Sequence, residues 1–130
     1  MTEPSADNPP VLDHAEIDAD HRGFAELVGR MSKLDDAQFA AEMGRLVDRT
    51  KAHFERENAL MDHSGFPATE EHQGEHRRVL SDLEGFLTRA QRGLVPFARA
   101  YVFESLVPWF GLHIRTMDSA LVAHLQRDGS

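Results

Sequence analysis

His53-Phe54-Glu55-Arg56-Glu57 and His72-Gln73-Gly74-Glu75-His76 are the two segments that decide how this chain folds. Each sets two metal-capable side chains four residues apart, a spacing that stacks them on one face of a helix, one turn apart. Outward from the first segment, Leu46, Thr50, His53, Glu57, Leu60 and Met61 share one face of a helix that runs from an Asp35 or Asp36 cap to about His63. Ser64-Gly65-Phe66-Pro67 stops it. Around the second segment, His72, His76, Val79, Leu80, Leu83 and Leu87 form the inner face of the next helix. Thr69 is its expected N-cap, and Gly93 is the residue that follows its C-terminus.

Two more helices follow from the same spacing. Upstream, Asp18 or Asp20 caps a helix that carries His21, Phe24, Val28 and Met31 on one face. Downstream, a helix starts near Val95-Pro96 and carries Val102, Leu106, Trp109, His113 and Met117. No run of alternating apolar and polar residues lies between turn signals, so strands are not expected. The predicted fold is all-α, an antiparallel up-down-up-down four-helix bundle over residues 13–130. A flexible N-terminal arm over residues 1–12, closed by Pro9-Pro10, precedes it.

Composition narrows the function. At 130 residues the chain is one domain large enough for its own core. Its formal charge of -8 at pH 7 argues against nucleic acid or an anionic membrane surface as partner. It has no cysteine, which leaves imidazole and carboxylate as the metal ligands available. No apolar run approaches the roughly twenty residues of a membrane span. Residues 1–10 lack the cationic start and apolar middle of a signal peptide, so a cytoplasmic protein is expected.

Every predicted helix puts at least one histidine on its inward face. A single such residue reads most simply as a hydrogen-bonded core histidine. Five imidazoles and a carboxylate in one small core are another matter, because burying them costs several kcal/mol unless each is paired or metal-bound. Three metal readings compete. His72-Gln73-Gly74-Glu75-His76 formally fits the H-x-x-E-H pattern of inverted zinc proteases, but Glu75 faces away from the His72–His76 stripe. A carboxylate-rich di-iron bundle needs Glu-x-x-His on two helices; none occurs, and Asp18-x-x-His21 is the nearest match. The third reading is a histidine-rich dinuclear site.

For that third reading the chain resembles a known family. Ile17-Asp18-Ala19-Asp20-His21, His53-Phe54-x-x-Glu57 with Met61, Gly65-Phe66-Pro67, His72-x-x-x-His76 and Trp109-x-x-x-His113-Ile114-x-x-x-Asp118 are similar to the hemerythrins, specifically bacterial single-domain ones. The likeness covers about residues 11 to 120. It implies that His72, His76 and His113 bind one iron and that His21 and His53 bind the other, with Glu57 and Asp118 bridging. Asp118 rests chiefly on the resemblance, since five residues after His113 is about 140° around an ideal helix. Either the side chain reaches around or the helix distorts.

With an oxygen bridge, the five imidazoles and two bridging carboxylates fall one donor short of two octahedral shells. The cofactor implied is two Fe ions with an oxo or hydroxo bridge. The resemblance implies reversible O2 binding, as peroxide, at the iron carrying two histidines. Storage or transport of O2 is the leading expectation, with no catalytic residues and no enzyme activity. A di-iron O2 or redox sensor acting through a partner protein, and a di-iron oxidase or peroxidase, are the alternatives. No general acid or base beyond the ligands is evident in the sequence.

The expected ligand pocket comprises Phe24, Phe54, Met61, Trp109, Phe110 and Met117, whose alternative reading is ordinary core packing. Phe110 stands where the family usually has leucine after the tryptophan, and a bulkier ring can narrow access. Pro108 deletes a helical hydrogen bond to the carbonyl of Glu104 and favours a kink. His63 reads as a helix-end residue, and His14 and His124 as solvated.

Overall fold

The computed structural model describes residues 9–127, and among them every regular element is helical. Helix α1 (Ala15–Met31) starts one turn earlier than expected. His14 is its N-cap, with the Ile17 N–H donating to His14 Nδ1. Asp18, an expected cap, lies inside the helix. Its carboxylate turns back to accept from the Leu12 N–H at 2.9 Å and the His14 N–H at 3.2 Å. Of the expected arm, residues 1–8 lie outside the described residues. Leu12, its last residue, is anchored by Asp18 and packs against the core.

Helix α2 (Asp36–Ser64) begins with a reciprocal capping box between Asp35 and Gln38. It ends at Gly65, whose left-handed φ of 64° is cheap only without a Cβ. Helix α3 (Thr69–Gln91) starts from Ala68 rather than from a Thr69 cap; the Thr69 hydroxyl donates instead to the carbonyl of Phe66 at 2.6 Å. At its other end the Leu94 N–H bonds the Arg89 carbonyl and the Gly93 N–H bonds that of Ala90. With Gly93 at φ 87°, that is a Schellman ending.

The fourth helix (residues 95–127) is helical throughout but changes its hydrogen-bond pattern twice. Turns of π-helix occupy Tyr101–Leu106 and Ile114–Asp118. The first answers the Pro108 expectation. Pro108 falls just after the π segment, in the opening turn of Val107–His113, and the backbone of Leu106 and Val107 stays helical. The missing N–H is absorbed where i→i−5 bonding returns to i→i−4.

Helix α2 packs against α1, α3 and the start of the fourth helix, and α3 packs against the fourth helix as well. Short connections between successive helices give the antiparallel order. The apolar interior comes in two clusters. The larger contains Phe24, Leu46, Phe54, Val79, Leu83 and Ile114; the smaller contains Ile17, Met61, Phe66 and Leu121. Between the two clusters fall His21, flanked by Ile17 and Phe24, Glu57, flanked by Phe54 and Met61, and Asp118, flanked by Ile114 and Leu121. The polar layer is sealed by hydrocarbon above and below, where the local dielectric is low and charge interactions are strong. Among the described residues no helix is long and apolar enough to cross a membrane.

Candidate metal centre

Seven side chains from all four helices meet in that layer, each 5% exposed or less. Glu57, His72, His76, His113 and Asp118 each offer one atom within 4.8 Å of the others, and His21, His53, Glu57 and Asp118 do the same. The acids are common to both groups, and their oxygens divide between them. Glu57 Oε1 lies 3.2 Å from His76 Nε2 and 3.4 Å from His72 Nε2, while its Oε2 lies 3.1 Å from His53 Nε2. Asp118 Oδ1 lies 3.0 Å from His72 Nε2 and 3.1 Å from His113 Nε2, while its Oδ2 lies 2.9 Å from His21 Nε2. Each carboxylate thus turns one oxygen to a three-histidine group and the other to a two-histidine group.

The backbone explains how Asp118 arrives. Five residues separate it from His113, and the intervening π-helical turn Ile114–Asp118 brings residues five apart over one another. Local distortion, not a long reach, puts the acid on the histidine face. A π turn at this point is the kind of irregularity that marks functional sites.

The ring nitrogens pointing away from the cluster are also arranged. His53 Nδ1–H donates to Asp20 Oδ2 at 3.1 Å, and His76 Nδ1–H donates to Asn58 Oδ1 at 2.9 Å. Both acceptors select the tautomer whose Nε2 lone pair faces inward. Asp20 is itself gripped by Arg56 through Nε at 2.8 Å and through Nη2. Stacking also holds His76 and a further ring, His113. Phe54 lies 3.8 Å from His76 at 5°, and Trp109 lies 4.4 Å from His113 at 24°. Trp109 Nε1–H donates to Glu75 Oε1 at 2.7 Å, so Glu75 faces outward from the cluster as a support, not as a protease base.

Electrostatics follow from two buried acids among five imidazoles. Burial alone would push Glu57 upward, but the positive charge it attracts at His53, with the His21 and His72 rings close by, holds it well below the usual range. Asp118 is lowered likewise, burial and Glu57 being outweighed by His113 and His21. Burial resists protonation of His53, yet Glu57 and Asp20 push it up to about 10. His72 is raised to about 9 against burial by Asp118 and Glu57. At His76 burial wins and lowers it to about 4.

The chemistry of the set fits a pair of cations. Glu57 Oε1 and Oε2, His53 Nε2, His76 Nε2 and Asp118 Oδ1 are all buried with no hydrogen-bond partner among the described residues. Buried acceptors left so are costly unless a cation satisfies them. Imidazole nitrogen with carboxylate oxygen and no thiolate suits iron among others.

A family comparison agrees. The family model described as the hemerythrin HHE cation binding domain matches residues 12–125. The chain belongs to the hemerythrin family. Myohemerythrin-1 of Phascolopsis gouldii is similar to this hemerythrin at 26% identity over 102 residues, covering 78% of this chain and 77% of that protein. No solved structure matches it significantly.

Of the expected pocket residues in this hemerythrin, Phe24, Phe54, Trp109 and Phe110 line one cavity of about 200 Å³ beside His53. Phe110 packs 3.9 Å from Phe24 and edge-on to His21 at 5.5 Å. Met61 and Met117 do not line it. Met61 packs with Ile17 and Leu121 in the smaller cluster, beyond the acids, and Met117 is half-buried outside the cavity. His124, expected in solvent, is buried against Phe66 and donates from Nε2 to the carbonyl of Ser64 at 2.9 Å. Asp20, the other expected cap of the first helix, lies inside α1 and accepts from His53 instead, and Arg56 and Asn58 have no expected role in the sequence. The one available signal was that Asp20 adjoins a candidate ligand in the quoted motif.

Proposed function

We propose that this hemerythrin-family protein binds O2 reversibly at a pair of irons and acts as a cytoplasmic store or carrier. The observation that carries the reading is the unequal division of donors. One group has three imidazoles and one oxygen from each acid; the other has two imidazoles and one oxygen from each acid. A single shared oxygen would complete the first group to six donors and leave the second at five, and an open position is what admits an exogenous ligand. Two adjacent irons, when bound, supply a pair of electrons for O2 and one open coordination position.

The chain's own groups do the rest. His53 and His76 are held in the inward-donating tautomer by Asp20 and Asn58. Phe24 and Phe110 wall the two-histidine half with hydrocarbon, which limits water and proton delivery. Asp20 is a carboxylate beside His53 that lies outside the ligand set. Although burial raises it, His53 and Arg56 hold it at about 2, so it has no proton to give at neutral pH. That favours carriage over oxidase or peroxidase turnover, which needs an acid.

Cycling the reduced, iron-loaded protein between O2 and argon while recording its absorption spectrum tests the proposal. Visible bands that appear with O2 and vanish under argon over repeated cycles are expected. One-way conversion to an oxidised form, or sustained consumption of added hydrogen peroxide, would replace the carrier reading with an oxidase or peroxidase.

A further inference from the structure

We propose that the cavity beside His53 is a binding site for a small aromatic monocarboxylate, a ligand distinct from anything bound at the metal centre. The cavity measures about 200 Å³, and Phe24, Phe54, Leu106, Trp109 and Phe110 give it apolar walls. An apolar cavity of about 150 Å³ is enough to hold a benzene ring. The space here fits a ring carrying one small substituent and is far larger than a diatomic gas needs. Of the seven residues in the metal layer only His53 borders it; His21, Glu57 and Asp118 do not. An occupant would therefore lie behind His53 and Phe110 and not among the ligand atoms.

The rim says what the substituent is. Asp20, Arg49 and Arg56 stand there. Arg56 and Asp20 satisfy each other, and Asp20 also accepts from His53, so that pair offers little to a ligand. Arg49 differs: it makes no ion pair or hydrogen bond among the described residues, in a chain of formal charge -8. Its guanidinium lies across Gly23, where an added Cβ would stand 2.5 Å from Nη1. The missing side chain at Gly23 is what lets the fork rest at this place. Thr50, on the next position of α2, also lines the cavity and has a buried hydroxyl with no partner among the described residues. An apolar chamber with an unpaired guanidinium at its mouth matches an apolar ring bearing a carboxylate, which arginine recognises in a two-pronged manner.

Trp109 is the only tryptophan in the chain and forms part of the wall, so its fluorescence reports occupancy. The metal-loaded protein is titrated with sodium benzoate while Trp109 emission and the absorption bands of the metal centre are followed together. A saturable change in emission is expected, about tenfold weaker in Arg49→Gln, the loss of one charge-assisted contact. Gly23→Ala, which favours the helix and displaces the guanidinium, weakens benzoate in the same direction. Toluene binds the parent more weakly than benzoate does and is indifferent to Arg49→Gln. Absence of a saturable response, or equal benzoate affinity in all three proteins, would overturn the proposal. So would a response confined to the metal bands and unchanged by Arg49→Gln, because that marks benzoate as a ligand of the metal. Trp109 emission reads the cavity whether or not O2 binding is reversible, so the two proposals fail separately.

Discussion

Replacing Asp20 by Asn separates the support of the metal site from the site itself. In the parent, Asp20 Oδ2 accepts from His53 Nδ1–H at 3.1 Å while Arg56 holds both oxygens. The amide keeps the shape but has one acceptor oxygen and no charge, so it cannot serve His53 and Arg56 as the carboxylate does. Losing such an outer partner costs about 10–100-fold in metal affinity, or roughly 1.4–2.7 kcal/mol. The loss falls on one half only, since His72, His76 and His113 make no contact with Asp20. Folding changes far less, because the Asp20–Arg56 pair is partly exposed and such pairs contribute about 1 kcal/mol or less. Anaerobic Fe(II) titration against a competing chelator reads this directly. The expected result is one equivalent bound as in the parent and a second weakened 10–100-fold, with little change in melting temperature. Two equivalents with parental affinities would refute the idea that Asp20 orients His53 toward a metal.

Glu57→Gln tests sharing, because Glu57 belongs to both donor groups: metal content per chain should fall for both equivalents together, and loss of a single equivalent would show that the acid serves one side. The metal-free protein should be most stable near pH 6.5. His53 and His72 are raised from 6.5 to about 10 and about 9, so their contribution is full below 6.5 and is lost as pH climbs through those values; His76, lowered to about 4, loses its contribution as pH falls from 6.5 toward 4. A melting temperature flat from pH 6.5 to 10 would contradict the charge arrangement. The same raised values mean that metal loading at pH 7 releases protons, measurable as buffer-dependent heat in calorimetry. Leu83→Ala, at a fully buried position in the larger cluster, should cost about 2–5 kcal/mol in denaturant unfolding.

The histidine and acid spacings carried most of the fold because α-helical period is a local property. Asp35, Gly65 and Gly93 announced helix ends through their own side chains or lack of one. What escaped was set by contacts across the bundle. Asp18 reads as a cap, yet two backbone N–H groups from the preceding turn capture its carboxylate and leave the cap to His14. The π turn before Asp118 has no signature of its own; it exists because packing fixes both His113 and Asp118 on one face while five residues separate them. Asp20 with His53, Asn58 with His76 and Glu75 with Trp109 pair different helices, and nothing in a single helix's pattern couples them. Met61 is inward-facing as its period requires, but the register along the bundle places it beyond the acids rather than beside the cavity. His124 looked solvated because its polar neighbours hid the apolar face that Leu121, Val122 and Leu125 form with it.

The central claim is a pair of irons, joined by Glu57 and Asp118, that differ by one histidine. Mössbauer spectroscopy of the iron-loaded protein before and after exposure to O2 tests it most directly. Two coupled irons per chain are predicted, becoming clearly inequivalent once O2 binds at the two-histidine side. One iron per chain, or two uncoupled irons that stay alike under O2, would contradict the account.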